Sequence, residues 1–287
     1  VAKKYADLVK TLAFRGSFAR ASGNARELTF MAGEQLAGFD LNFILGVYEN
    51  TGDWTPERGS HTHPFDEYLL FFGYDPDDMS YLGSELELCM GEEWEPHKIV
   101  RPSFVIAPKD LPHSPLVTEK VDKPFGHLHI ALSGVYRGGP GPEQTGSTDG
   151  TKYKHLFKEM EVQKGPGGAD AHQVFSYSAA NFPGLKINFD MGLYKETGQW
   201  SCAPHTHSFD EVMIFFGHNT ADLSYLGAEI TVELGAEREK HTFNVPTVVI
   251  IPRGTPHLPA TCSRLENPYR VARIGLAPEY DETPAQL

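Results

Sequence analysis

Cysteine is scarce in this chain. There are three among 287 residues, Cys89, Cys202 and Cys262, and no C-x-x-C pair. An odd, scattered set argues against a disulfide framework and suits a reducing compartment. Basic charge is also short, with 25 Lys and Arg against 38 Asp and Glu and a formal net charge of −13. No basic stripe is present to neutralise phosphates, so no nucleic-acid partner is expected. The negative balance serves solubility. No run of about eighteen apolar residues exists, so no membrane span is expected. The opening residues, VAKKYADLVK, lack the apolar core of a signal peptide. These absences together set the expectation of a cytoplasmic protein.

What is abundant is glycine and proline, at 28 and 21 residues. That favours many short strands and tight turns over long helices. The length suffices for two domains of ordinary size.

One constellation occurs twice. The first copy reads HTHPFDEYLLFFG, from His61 to Gly73, and the second reads HTHSFDEVMIFFG, from His205 to Gly217. Each is followed by a proline-flanked histidine, in PKDLPH ending at His113 and PRGTPH ending at His257. In both copies 52 residues separate the first histidine from the last. The repeat extends further. Ser80-Tyr81-Leu82-Gly83 recurs as Ser224-Tyr225-Leu226-Gly227. Upstream, Asn42, Gly46, Tyr48 and Trp54 recur as Asn188, Gly192, Tyr194 and Trp200, and the second copy is two residues shorter just before its HTH. Lys4-Tyr5 is echoed at Lys152-Tyr153. Nearly the whole chain is therefore two halves of one unit. The expected division is a first barrel at residues 1–136, an exposed linker rich in Gly, Pro, Ser and Thr at 137–152, and a second barrel at 153–287.

The apolar runs read as strands. DEYLLFFG and DEVMIFFG end in glycine, and SFVIAP and TVVIIP are β-branched runs stopped by proline. Helix is a minor prospect, around Ala2–Leu12 and Tyr153–Met160. These segments could also be arms packed on the barrels.

On a strand, residues two apart share a face. His61 and His63 can thus project inward together, as can His205 and His207. Glu67 and Glu211 open the next strand, and a later hairpin is expected to bring His113 or His257 from across the barrel. The expected metal ligands are His61, His63, Glu67 and His113 in one half, and His205, His207, Glu211 and His257 in the other. Three imidazoles and a carboxylate suit a divalent transition metal, up to one per barrel. Mn, Fe, Co, Ni, Cu and Zn all accept such donors.

These motifs resemble those of the cupin superfamily, and in duplicate those of a bicupin. The first cupin motif has the form H-x-H-x(3,4)-E followed by glycine, and both copies match it. The second has the form P-x-G-x-x-H. It is matched by Pro252, Gly254 and His257, whereas PKDLPH places Asp110 where glycine is usual. The resemblance implies an all-β fold of two tandem jelly-roll barrels, with short peripheral helices or arms. It further implies a metal in each barrel, with Mn or Fe expected first. Bicupins with this ligand set include quercetin dioxygenase-like and oxalate decarboxylase-like enzymes. No equivalent of the serine- and glutamate-containing lid of oxalate decarboxylases is evident. The expected function is metal-dependent carbon–carbon cleavage of a small carboxylate, enol or diketone, of dioxygenase type. The alternatives are decarboxylation or hydrolysis without oxygen, and a non-catalytic binding or storage protein. A homodimer is also expected, since jelly-roll sheets often cover exposed edges by association.

The halves differ chemically. GHLHIAL aligns with RVARIGL, which sets His127 opposite Val271 and His129 opposite Arg273. If that face of the strand looks inward, His129 offers acid–base chemistry and Arg273 a guanidinium for a carboxylate or enolate. The catalytic candidates are then Glu67, Glu211, His129 and Arg273. His97 and His241 recur outside the ligand set and are expected to be structural. Lys109 and Arg253 are expected to face solvent, and Tyr48 and Tyr194 to pack as aromatic core.

Overall fold

A computed structural model describes residues 3–16, 24–54 and 59–285. Among them every strand pairing is antiparallel, and helix is confined to two 3-10 turns, Ala6–Leu8 and Lys154–Leu156. Among the described residues no helix is long and apolar enough to cross a membrane. The expected helices therefore shrink to one turn each, followed by the short strands Val9–Thr11 and Phe157–Glu159. Ala2 lies outside the described residues. A segment this short cannot sustain a helix on its own, and its backbone groups find partners at the edge of a sheet instead.

The chain forms two compact units. One is Phe14–Glu161, and the other joins Val162–Leu287 with Val1–Ala13. The division expected at residues 1–136, 137–152 and 153–287 is thereby redrawn. The physical reason is strand pairing by the arms. Val9–Thr11 pairs with Thr247–Ile251, and Phe157–Glu159 pairs with Ser103–Ala107. The opening arm thus completes the second barrel, and the arm after the first barrel stays with the first.

In the first barrel, the seven-stranded sheet is centred on Glu67–Gly73, Phe125–Ala131 and Asn42–Tyr48. All three are buried along their whole length, as expected of near-continuous apolar runs. The second sheet carries His61–Thr62, His113–Val121, Ser84–Met90 and Glu95–Ile99. The second barrel repeats the plan, with Glu211–Gly217, Tyr269–Gly275 and Asn188–Tyr194 in one sheet and His205–Thr206 and His257–Leu265 in the other.

Each arm is latched by a carboxylate. Glu95 is fully buried and accepts the backbone N–H of Tyr153 at 3.0 Å and of Lys152 at 3.2 Å. Thr148 donates its hydroxyl to the same group, and His97 lies 2.9 Å from it while stacking on Phe157. Glu239 holds Lys4 and Tyr5 in the same way, at 2.9 and 3.0 Å, beside His241 at 2.8 Å. The recurring His97 and His241 are thus parts of the latches. Removing the Glu95 carboxylate leaves buried donors without an acceptor. Glu95→Ala should lower the free energy of urea unfolding by about 2–3 kcal/mol, while Lys98→Ala at the exposed surface leaves it essentially unchanged.

Candidate metal centres

His61 and His113 of the first centre come from strands of one sheet, His63 from the turn just after His61–Thr62, and Glu67 from the facing sheet. His61 and His113 are direct neighbours in the register of the six-stranded sheet. His113 therefore arrives beside His61 and not from across the barrel as expected. The residue that crosses the interior is Glu67, which opens the central strand of the facing sheet. The nitrogen and oxygen donors of His61, His63, Glu67 and His113 all lie within 4.8 Å of one another. In the second barrel His205, His207 and His257 meet the same condition. There Glu211 Oε2 stands 3.7 Å from His207 Nε2 and 3.4 Å from His257 Nε2.

The imidazoles are oriented from behind. His63 Nδ1 lies 2.8 Å from the Arg137 carbonyl and His113 Nδ1 lies 3.1 Å from that of Leu111. In the second barrel the carbonyls of Ala203, Asp281 and Thr255 take Nδ1 of His205, His207 and His257. A carbonyl only accepts, so each Nδ1 carries the proton and each Nε2 presents a lone pair. That is the tautomer a metal requires. Nε2 of His63, His205 and His257 and Oε2 of Glu211 are buried with no hydrogen-bond partner. Buried polar atoms are rarely left unpaired, and here several converge on one point in each barrel. The donor sets therefore fit a divalent cation.

The charge state agrees. Burial, reinforced by His113 and His63, lowers His61 to about 3. Burial also lowers His63 and His205. Burial alone would raise Glu67, but His129 and His113 outweigh it and hold the carboxyl well below the usual carboxylate range. Neutral imidazoles and an ionised carboxylate need shed no proton to bind a metal.

The second-motif turn explains the departure at Asp110. Asp110 and Gly254 occupy the same left-handed position, at φ 62° and 75°. Glycine is the usual solution there, and Asp is among the few side chains that tolerate it. Both residues donate their N–H to the second histidine of the HTH, His63 O at 2.8 Å and His207 O at 2.9 Å. The Asp of each FDE holds the same turn. Asp66 accepts Lys109 N and Asp210 accepts Arg253 N, both at 2.8 Å. The side chains of Lys109 and Arg253 are exposed, as expected.

The strand that distinguishes the halves does face inward. His129 Nε2 lies 2.9 Å from Glu67 Oε1. His127 Nδ1 lies 3.0 Å from the Leu70 carbonyl, and its ring stacks on Phe71 at 4.7 Å with Trp54 edge-on at 5.1 Å. Burial, then His129, lowers His127 to about 3. In the second barrel Val271 joins the apolar core. Arg273 Nε donates to Asp190 Oδ1 at 2.8 Å, so part of the guanidinium expected to hold a carboxylate is already engaged. Burial raises the Asp190 carboxyl above its usual range, although Arg273 opposes this. Asp190 was not singled out in the sequence, where it stands in the position of Ile44.

The interiors differ accordingly. The first barrel contains an open-mouthed cavity of about 920 Å³ whose walls include His61, His63, Glu67, His113, His127 and His129. Its apolar lining includes Ile44, Trp54, Leu69, Leu88 and Leu116, and among the described residues neither Lys nor Arg contributes. In the second barrel Trp200, Met213, Val232, Ala260 and Val271 belong to one packed core.

Two further residues escaped the sequence reading. Tyr136 packs 5.1 Å from His63, and Tyr280 packs 5.1 Å from His207. They stand at equivalent points after the last barrel strand, a signal the repeat contained. The linker also packs against the first cluster. It is mostly exposed, as expected, but Gly139–Pro140 pairs with His61–Thr62. Gly138 lies so close to His63 that a Cβ would approach its Cε1 to 2.5 Å.

Because the two clusters are built from separate residues, His63→Ala should lose one equivalent of metal and leave the other, and His207→Ala should do the reverse. Elemental analysis of the purified variants reads this directly. Loss of both metals from either change would show the sites to be coupled. The depressed His61 has a stability consequence in the metal-free protein. The folded state binds fewer protons than the unfolded chain, so the contribution is full above pH 6.5 and is lost as pH falls toward 3. Urea midpoints of the metal-free protein should fall over that window, and less steeply in His61→Phe.

No protein-family model matches the chain, and no curated protein matches its sequence. Solved structures do match. A variant of Bacillus subtilis oxalate decarboxylase superposes with a TM-score of 0.66 at 11% identity, over 96% of this chain and 79% of that one. Lactobacillus farciminis oxalate decarboxylase, in complex with formate, gives 0.66 at 11% identity over 99% of this chain and 90% of that one. A further structure of the Bacillus subtilis enzyme, studied for its Mn(II) centres, gives 0.62 at 11% identity over 96% and 79%. Four antiparallel sheets, two clusters of metal-ligating side chains and this superposition over nearly the whole length establish the bicupin fold for this chain.

Proposed function

We propose that the chain is a metal-dependent enzyme whose reaction centre lies in the first barrel. Its reaction is carbon–carbon cleavage of a small oxygenated organic substrate, an enol or diketone ahead of a simple carboxylate. One observation carries this reading. The His61, His63, Glu67 and His113 cluster opens into a cavity of about 920 Å³, and Trp200, Met213 and Val232, the counterparts of its walls, belong to an apolar core in the second barrel.

A divalent cation held by these four residues would supply Lewis acidity to a coordinated substrate oxygen. The chain's own groups do the rest. His129 holds Glu67 by its outer oxygen and is placed to carry a proton at Nε2. Ile44, Leu69, Leu88 and Leu116 keep water from the substrate body. The neighbours' oxalate suits this cavity poorly. A two-carbon dianion would leave most of the volume empty and, among the described residues, meet no ammonium or guanidinium on its walls.

We place the cleavage first as dioxygenase-type, with dioxygen as co-substrate. The second reading, cleavage by hydrolysis or decarboxylation, is favoured by His129, because those reactions turn on proton transfer. Turnover of a set of 1,3-diketones by metal-loaded protein, with and without oxygen, separates the two. Loss of turnover under strict anaerobiosis supports the first reading, and undiminished turnover supports the second. In either case His129→Asn should lower kcat by about 10²-fold or more with both metals retained. Metal loss in that variant would instead make His129 a support of Glu67 alone.

A further inference from the structure

Tyr136 and Tyr280 occupy the same point of the repeat, yet their hydroxyls meet different neighbours. In the second barrel Tyr280 donates its hydroxyl to Glu282 Oε2 at 2.7 Å. In the first barrel Gly138 stands where Glu282 stands in the second. The strand that follows fixes this equivalence, since Pro140 pairs with His61 as Pro284 pairs with His205. No side chain fits at Gly138, because a Cβ there would approach His63 Cε1 to 2.5 Å and Nδ1 to 2.7 Å. The packing that seats His63 has thus removed the acceptor for the Tyr136 hydroxyl. Among the described residues no other hydrogen bond engages it. The ring itself is closely surrounded. His63 lies 5.1 Å away and His129 5.7 Å between centroids, with Phe30 edge-on at 6.4 Å and Phe65 at 6.5 Å. Tyr136 also lines the cavity into which the ligand cluster opens. The phenol therefore stands beside both a candidate ligand and the imidazole bonded to Glu67.

We propose that Tyr136 is a further catalytic residue of the first barrel, whose hydroxyl donates a hydrogen bond to an anionic substrate oxygen held at the His61, His63, Glu67 and His113 cluster. This rests on the reading of the first barrel as the reaction centre. A phenol keeps its proton at neutral pH and so arrives as a donor. Among the described residues no Lys or Arg lines the cavity, so negative charge on that oxygen meets no cationic side chain. A donor held in place by packed rings stabilises such charge without reorganising, and the bond strengthens as the oxygen becomes more negative. Tyr280 is not free for this task, because Glu282 already takes its hydroxyl.

The test uses cobalt-loaded protein, whose visible spectrum reports each ligand that joins the metal. The first-barrel signal is the one absent from His63→Ala. The probes are acetate, whose oxygens accept hydrogen bonds, and pyridine, which keeps no acceptor once its nitrogen is coordinated. At the first barrel Tyr136→Phe should raise the acetate Kd at least about tenfold and leave that of pyridine within about twofold, with cobalt content unchanged. Tyr280→Phe should leave both values as they are. An unmoved acetate Kd in Tyr136→Phe, an equal loss for both probes, or loss of cobalt would overturn the role of Tyr136 and leave the proposed reaction standing. Failure of both probes to alter the first-barrel spectrum of the unaltered protein would overturn the reaction-centre reading as well.

Discussion

The structure turns on a set of buried donor atoms left without protein partners and aimed at one point in each barrel. Such atoms are costly to bury. Each Nε2 presents its lone pair because a backbone carbonyl takes the proton on Nδ1. Those carbonyls are themselves held by turns. Asp110 N and Gly254 N tie the HTH segments to the second-motif turns, and Asp66 and Asp210 tie those turns from the other side. The FDE triplet thus does two jobs in adjacent residues, a ligand and a brace.

The duplication preserved this framework and let the interiors diverge. Ile44 and His129 face each other across the first barrel's strands, and Asp190 and Arg273 do so in the second. One pair leaves an imidazole for Glu67, and the other closes on itself as a salt bridge. Leu116 in the first half lines a cavity, and its counterpart Ala260 belongs to a packed core. Equal ligand sets therefore sit in unequal chambers, which supports assigning the chemistry to the first.

Much of this was legible in the residues. The ligand sets, the all-β fold and the buried runs Ser103–Ala107 and Thr247–Ile251 follow from spacing and periodicity, and the structure bears out the runs. The inward face of His127–His129 is not legible in the residues, because a one-residue slip turns a strand over. The helices expected in the arms fail for a related reason. Local propensity is weak over a few residues, and an open sheet edge outbids it by pairing.

The sequence by itself determined which residues offer candidate donor atoms and that the set occurs twice, because a ligand set is a matter of residue type and spacing. The tertiary structure alone decided the cavity beside the first cluster and which arm completes which barrel. It also decided that His113 arrives beside His61 while Glu67 crosses the interior. Those outcomes depend on side chains far apart in the chain meeting within a few ångströms, and no local pattern carries that information.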